Sequence, residues 1–143
     1  MFSTSTKTAI KAVIFISSRC SECQKVNIKE IAEEIDASEH TVAKVLQKLV
    51  KCGIVNSLKG PLGGFSITDD QREIPIFNIV ASIEGKDVFD ECGLGLTKCS
   101  PEHPCPIHNE YKEVKEKVKQ IFRTKKIKDL CDPVTHGLAY LAD

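Results

Sequence analysis

The sequence predicts a mainly α fold carrying one small β-hairpin. Three observations lead there. Four short apolar stripes with helical spacing fill the first 85 residues. Two short strand-like runs flank a turn rich in glycine and proline between the third and fourth stripes. A long helical pattern then follows a cysteine-rich gap.

The first helix is expected from about Ser5 to Ser18, with Ala9, Ile10, Val13 and Ile14 on one stripe. A polar break from Ser18 to Lys25 follows and contains Cys20 and Cys23. Asn27 has the form of an N-cap, with Glu30 three residues on as in a capping box. Behind it Ile28, Ile31, Ala32 and Ile35 repeat at helical spacing over about two turns. After the link Asp36-Ala37, Ser38 is a second N-cap candidate. The next helix carries Val42, Val45, Leu46 and Leu49 inward and ends at Cys52-Gly53, with glycine at the usual stop.

Two short helices joined by a tight turn outline a helix-turn-helix. Ile54 to Leu58 reads as a strand, Lys59 to Gly64 as turn chemistry, and Phe65 to Thr68 as the returning strand. A hairpin placed directly after such a pair is the wing of a winged helix-turn-helix. Pro75 opens a further helix with Ile76, Ile79, Val80 and Ile83 inward, and Gly85 stops it. Residues 87–106 lose all periodicity. The longest helix is expected from Ile107 to about Lys128, with Ile107, Tyr111, Val114, Val118 and Ile121 stepping at an average of 3.5 residues. A seam of that period favours a partner helix, here a second copy of the chain. The division that follows is 1–86 winged helix-turn-helix, 87–106 cysteine loop, 107–130 dimerisation helix and 131–143 tail, the tail carrying no readable signal.

Composition narrows the function classes. At 143 residues, 41% hydrophobic and 28% charged, the chain can bury a core without disulfides and is not a disordered polymer. No run of eighteen apolar residues is present to span a bilayer. Phe2 to Thr8 lacks the pattern of a secretory signal, so the expected location is cytoplasmic, with no membrane partner. Aromatics at 6% and the absence of Trp argue against a large aromatic ligand cage. No catalytic constellation or small-molecule substrate site is readable, so an enzyme is not expected.

Net charge is zero, yet the charge is segregated. From Glu22 to Glu39 there are six acids against two lysines; from His40 to Thr68 there are four lysines and no acid. Lys44, Lys48 and Lys51 fall in a row opposite the apolar stripe, and His40, Thr41 and Gln47 share that face. A recognition helix needs this arrangement: early residues at base edges, later lysines on phosphates. Wing residues Lys59 and Gly60 would approach the neighbouring backbone. The candidate DNA-contacting set is Asn27, Ser38, His40, Thr41, Lys44, Lys48, Lys59, Gly60 and Gly63. With so few lysines per chain, two copies on two half-sites of duplex DNA would be needed.

The gap itself holds Cys92, Cys99 and Cys105 within fourteen residues, with His103 and His108 close by. Seven cysteines in a reducing compartment point to metal or redox chemistry rather than a disulfide framework. Thiolates suit iron–sulfur clusters, zinc or copper(I), and a fourth ligand is required, with His108 the candidate and His103 its competitor. Cys₃His also suits a structural zinc, and three unliganded thiols on a loop are the plain alternative. The pair Cys20 and Cys23 forms a C-x-x-C outside any βαβ pattern, which makes a thioredoxin-type redox enzyme the weakest reading. A zinc-stabilised adaptor that binds protein and not DNA would account for the zero net charge.

Taken together, Lys7 to Ala12, Ile28 to Ala32, Ser38 to Lys51, Lys59-Gly60-Pro61-Leu62-Gly63-Gly64-Phe65, Glu84-Gly85 and the cysteine loop ending at Pro106 resemble the bacterial Rrf-two regulators. That family includes the IscR, NsrR and CymR types. The resemblance runs from about Ser3 to Lys128. It implies a homodimeric winged-helix transcription factor whose long helix is the dimerisation helix. It implies an iron–sulfur cluster, [2Fe-2S] or [4Fe-4S], on Cys92, Cys99 and Cys105, sensing redox state, nitric oxide or iron–sulfur status. His108 is similar in placement to the histidine ligand of the IscR type. Lys7 stands where the NsrR type has an N-terminal acid. Lys59 matches the basic residue of the family's wing. The gap from Cys92 to Cys99 is one or two residues longer than in iron–sulfur members, and members without the cysteines regulate without a cluster.

Overall fold

The computed structural model describes residues 1–19 and 24–143. Cys20 and Cys23 lie outside the described residues. The first helix, α1 (Thr4–Arg19), is the axle of the molecule. Its residues Ala9, Ala12, Val13 and Ile16 are completely buried. Small and β-branched side chains on one stripe let four other helices pack on it.

The helix-turn-helix forms as its caps dictate. Asn27 closes a capping box on α2 (Ile28–Glu34): its side chain accepts from the Glu30 amide at 2.9 Å, and its own amide donates to Glu30 Oε2 at 3.1 Å. Ser38 caps α3 (Glu39–Lys51) by accepting from the Thr41 amide at 3.1 Å. Between them Asp36 takes a left-handed conformation, φ 51°, which aspartate tolerates better than most residues. Val42, Val45, Leu46 and Leu49 of α3 face the core.

The hairpin is shorter than its sequence pattern. Strands β1 (Asn56–Leu58) and β2 (Gly64–Ser66) pair antiparallel with Ser57 opposite Phe65. Ile54 and Val55, expected in the first strand, are buried under the helices instead. Hydrophobic burial takes them out of the ladder. Val26 adds a third partner, exchanging backbone bonds of 3.0 and 2.8 Å with Phe65 and so tying the wing to the entry of α2.

On either side of the helix expected after Pro75, one short helix and one 3₁₀ turn escape the sequence pattern. A one-turn α4 (Asp69–Arg72) is closed by a Thr68–Gln71 capping box. Then α5 (Ile76–Glu84) begins after Pro75 and stops at Gly85, φ +94°, as expected. A 3₁₀ turn, Lys86–Phe89, follows and buries Val88 and Phe89 in a second small core with Val80. Phe2, Phe77 and Phe122 surround Phe89 there, with ring centroids 5.1–5.8 Å apart in the pairs they form.

The long helix α6 (His108–Thr124) ends four residues before Lys128. At Lys125 and Lys126 the chain is extended, and the backbone pairs sideways: Ile76 donates to Lys125 O and Ile127 donates to Ile74 O, both at 3.0 Å. A separate helix, α7 (Ile127–Thr135), then packs on α1. The segment from Cys131 onward, expected to carry no signal, thus begins inside a helix. Ile127, Leu130, Cys131 and Val134 have helical spacing, but Pro133 within it disguised the pattern. Ile127 and Cys131 are buried in the main core. Among the described residues, no helix is long and apolar enough to cross a membrane.

Candidate metal centre and nucleic-acid interface

The cysteine loop is built from tight turns. Gly95, φ +73°, donates to Cys92 O at 2.9 Å and reverses the chain after the first thiol. Ser100 and His103 exchange backbone bonds of 3.2 and 3.0 Å and reverse it again. The His108 amide donates to Cys105 O at 3.0 Å, seating the last thiol on the first turn of α6. These turns bring the three sulfurs together: all lie within 4.8 Å of one another, and Cys92 Sγ is 3.6 Å from Cys105 Sγ. At that separation the two are free thiols; a disulfide has its sulfurs about 2.05 Å apart. It matches two thiolates on one tetrahedral centre, which lie about 3.8 Å apart at metal–sulfur bonds of about 2.3 Å.

His108 Nδ1 lies 3.1 Å from Cys99 Sγ, so the start of α6 supplies a fourth donor beside the trio. The structure brings His108 rather than His103 to a sulfur; His103 is exposed and serves the Ser100 turn. Asp90, Gly93, Tyr111 and Lys115 complete the lining of a cavity of about 50 Å³. That is too small for a typical organic ligand. The donors differ in character. Backbone amides of Leu96 and Leu94 point at the Cys92 sulfur and lower its pKa to about 7. Burial pushes Cys105 upward. Three soft sulfurs and an imidazole form a donor set that fits an iron–sulfur cluster or zinc.

The second candidate surface is the exposed side of α3. His40, Lys44, Gln47, Lys48 and Lys51 are all exposed, and Thr41 is half-buried. None of Lys44, Lys48, Lys51 or Lys59 has an ion-pair partner among the described residues. Lys59 and Gly60 stand at the exposed wing tip, where a side chain at Gly60 would meet open space. Gly63 is different: a Cβ there would come within 2.0 Å of Leu58 O, so the hairpin itself requires glycine. Asn27 and Ser38 are exposed at the two helix starts, with their side-chain oxygens engaged in capping.

Sequence reasoning missed Lys7 and Lys11 at this surface. They line one cleft with Ser38 and Thr41. Their signal was i, i+4 spacing on α1, but nothing in the sequence brings α1 to the start of α3. It missed Tyr111 and Lys115 at the thiol site for the same reason, reading Tyr111 as part of a seam.

Residues 2–133 match the Rrf2 family, described as an iron-dependent transcriptional regulator. An HTH-type transcriptional regulator of Aquifex aeolicus is 31% identical over 132 residues, 91% of this chain and 90% of that protein. The NsrR regulator of Geobacillus kaustophilus is 31% identical over 87 residues, 61% of this chain and 58% of its own. Among solved structures, the global cysteine regulator CymR of B. subtilis superposes with a TM-score of 0.75 at 20% identity, covering 92% of this chain and 96% of that one. T. potens IscR gives 0.72 at 19%, covering 97% and 91%. The structural likenesses establish the winged-helix fold, and the sequence matches go further. The helix-turn-helix with its wing, followed by a long helix and matched over nearly the whole chain, makes this protein a member of the Rrf2 family, a DNA-binding transcriptional regulator and not an enzyme.

Proposed function

We propose that this regulator works in the cytoplasm as a homodimer whose grip on a double-stranded operator is set by an iron–sulfur cluster held on Cys92, Cys99, Cys105 and His108. The observation that carries the reading is the convergence of three sulfurs within 4.8 Å, with His108 beside Cys99. The family's description as iron-dependent supports it. When bound, such a cluster supplies redox-active iron that oxygen or nitric oxide can attack. The chain's own residues do the rest. Cys92 enters the site directly behind the buried Val88–Phe89 turn, and Cys105 leaves it onto α6. The loop therefore hangs between the body of the winged helix and the helix that would join two copies.

On the DNA side, His40 and Thr41 face base edges, while Lys44 and Lys48 neutralise phosphates. Asn27 and Ser38 contribute by capping: they fix the N-terminal turns of α2 and α3, whose amides favour anions. Lys59 and Gly60 bring the wing against adjacent backbone, and Gly63 keeps the wing closed. Ile107, at the cap of α6, and Val114 and Ile121 within it are 39%, 51% and 53% exposed at intervals of seven residues, which supports a helix partner from a second copy.

The test is anaerobic purification with iron, sulfide and zinc analysis, followed by binding to an operator selected from random duplexes. Iron with acid-labile sulfide, visible absorption lost on Cys92→Ala, and operator affinity that shifts when iron is removed are expected. A colourless zinc-loaded protein with unchanged operator affinity after chelation defeats the sensing reading and leaves Cys₃His zinc in its place.

A further inference from the structure

The face of α6 that looks inward carries more than packing. Tyr111, Lys115, Val118, Lys119 and Phe122 all lie on it and all are partly buried. Lys115 Nζ donates to two successive carbonyls, Asp90 O at 3.1 Å and Glu91 O at 3.0 Å. These are the last two carbonyls before Cys92. Lys119, its side chain only 13% exposed, pairs with Asp90 Oδ1 at 2.7 Å. The Tyr111 ring lies flat enough against the loop that a Cβ on Gly93 would meet its carbons at 2.9–3.0 Å. The Lys115 ammonium sits 5.7 Å from the centroid of that ring. Tyr111 and Lys115 also line the cavity that the three thiols share.

We infer that Lys115, braced by Tyr111, is a positioning residue that clamps the Asp90–Gly93 segment to α6 and so preassembles the thiol site before any metal arrives. The reason is geometric. Two bonds from one ammonium to consecutive carbonyls fix the direction of the backbone entering Cys92, and a ring pressed on Gly93 fixes it leaving. Cys105 and His108 are already fixed by the start of α6. The clamp therefore makes one helix the reference frame for both ends of the donor set. It also makes any movement of Cys92 a movement relative to α6, whose opposite face presents Ile107, Val114 and Ile121. A lysine suits this place electrostatically, because its charge lies beside a site that must hold several thiolates.

This inference rests on the reading of the thiol site as a metal site, so its test separates the two. Full-length, metal-free, reduced protein is compared with Lys115→Met and Lys115→Arg. The first readout needs no metal: hydrogen exchange at the Gly95 amide, bonded to Cys92 O at 2.9 Å. Lys115→Met is expected to speed that exchange several-fold while α1 and α3 amides are unchanged, and Lys115→Arg to restore slow exchange. The second is titration with cobalt(II), followed by thiolate-to-cobalt absorption. Lys115→Met is expected to weaken cobalt about 10- to 100-fold, the usual effect of losing a supporting partner of a ligand. Unchanged Gly95 exchange overturns the clamp. Faster exchange with unchanged cobalt affinity overturns its role in metal binding. Wild-type protein that shows no thiolate–cobalt absorption sinks the metal reading, and the exchange data then decide the clamp alone.

Discussion

Lys44 sits in the middle of an exposed row on α3 with no ion-pair partner among the described residues, so its full charge is available to a phosphate. Removing one phosphate contact removes about 0.9 from the slope of log affinity against log salt. Operator titrations of Lys44→Ala at several salt concentrations should show that loss, together with weaker binding to all sequences; an unchanged slope would move the reading face elsewhere. Glu73 illustrates a charge with a structural task. Lys126 Nζ lies 2.6 Å from one of its oxygens, and Lys128 binds the other. Hydrogen bonds from these two ammoniums lower its pKa to about 2 from an ordinary 4.5. A lowered carboxylate pKa stabilises the fold fully above pH 4.5, and that contribution fades as pH falls towards 2. Both partners are exposed, so the effect is small. Thermal unfolding should show wild type above Glu73→Gln at pH 6 and the two coinciding near pH 2.

At the scale of the element, α7 decides more than its nine residues suggest. Ile127 is completely buried and opens the helix, with its amide bonded to Ile74 O. Cutting that side chain to alanine leaves a cavity in a core that α1 also lines, at a cost of about 2–5 kcal/mol. Chemical denaturation of Ile127→Ala should show that loss with the denaturant slope unchanged. The wing shows the opposite economy: three residues per strand, held in place by Val26 and by glycines whose hydrogens face carbonyls. It has almost no core of its own, and its geometry depends on the turn and on the exchange of bonds with Phe65.

For the whole molecule, α6 is two-sided. The expected seam of Ile107, Tyr111, Val114, Val118 and Ile121 divides between the faces. Tyr111 and Val118 turn towards the chain's own loop and aromatic core, while Ile107, Val114 and Ile121 stay exposed. A charge placed on the outward face costs the isolated chain little and a helix pair a great deal. Val114→Asp should leave the circular dichroism and melting of the chain near wild type, yield a monomer in sedimentation and lose most operator affinity. A dimer that survives would place the second copy on another face.

Helices α1, α2, α3 and α5, the caps of α2 and α3, the wing and the thiol spacing were legible in the sequence, because each is enforced within a few residues: Asn27 with Glu30, Ser38 with Thr41, Gly85 at a positive φ. That His108 lies beside the thiols was legible because Cys105 is only three residues before it. What depended on distant residues was not legible. Ile54 and Val55 leave the strand for the core, α6 breaks where Ile76 and Ile127 pair across it, and Lys115 reaches back 24 and 25 residues to carbonyls that nothing in its neighbourhood announces. Periodicity reports that a side chain has an apolar or charged neighbourhood but not whose. Local chemistry fixed the turns and caps of this protein, and only the folded chain chose which face of α6 holds the cysteine loop and which stays exposed.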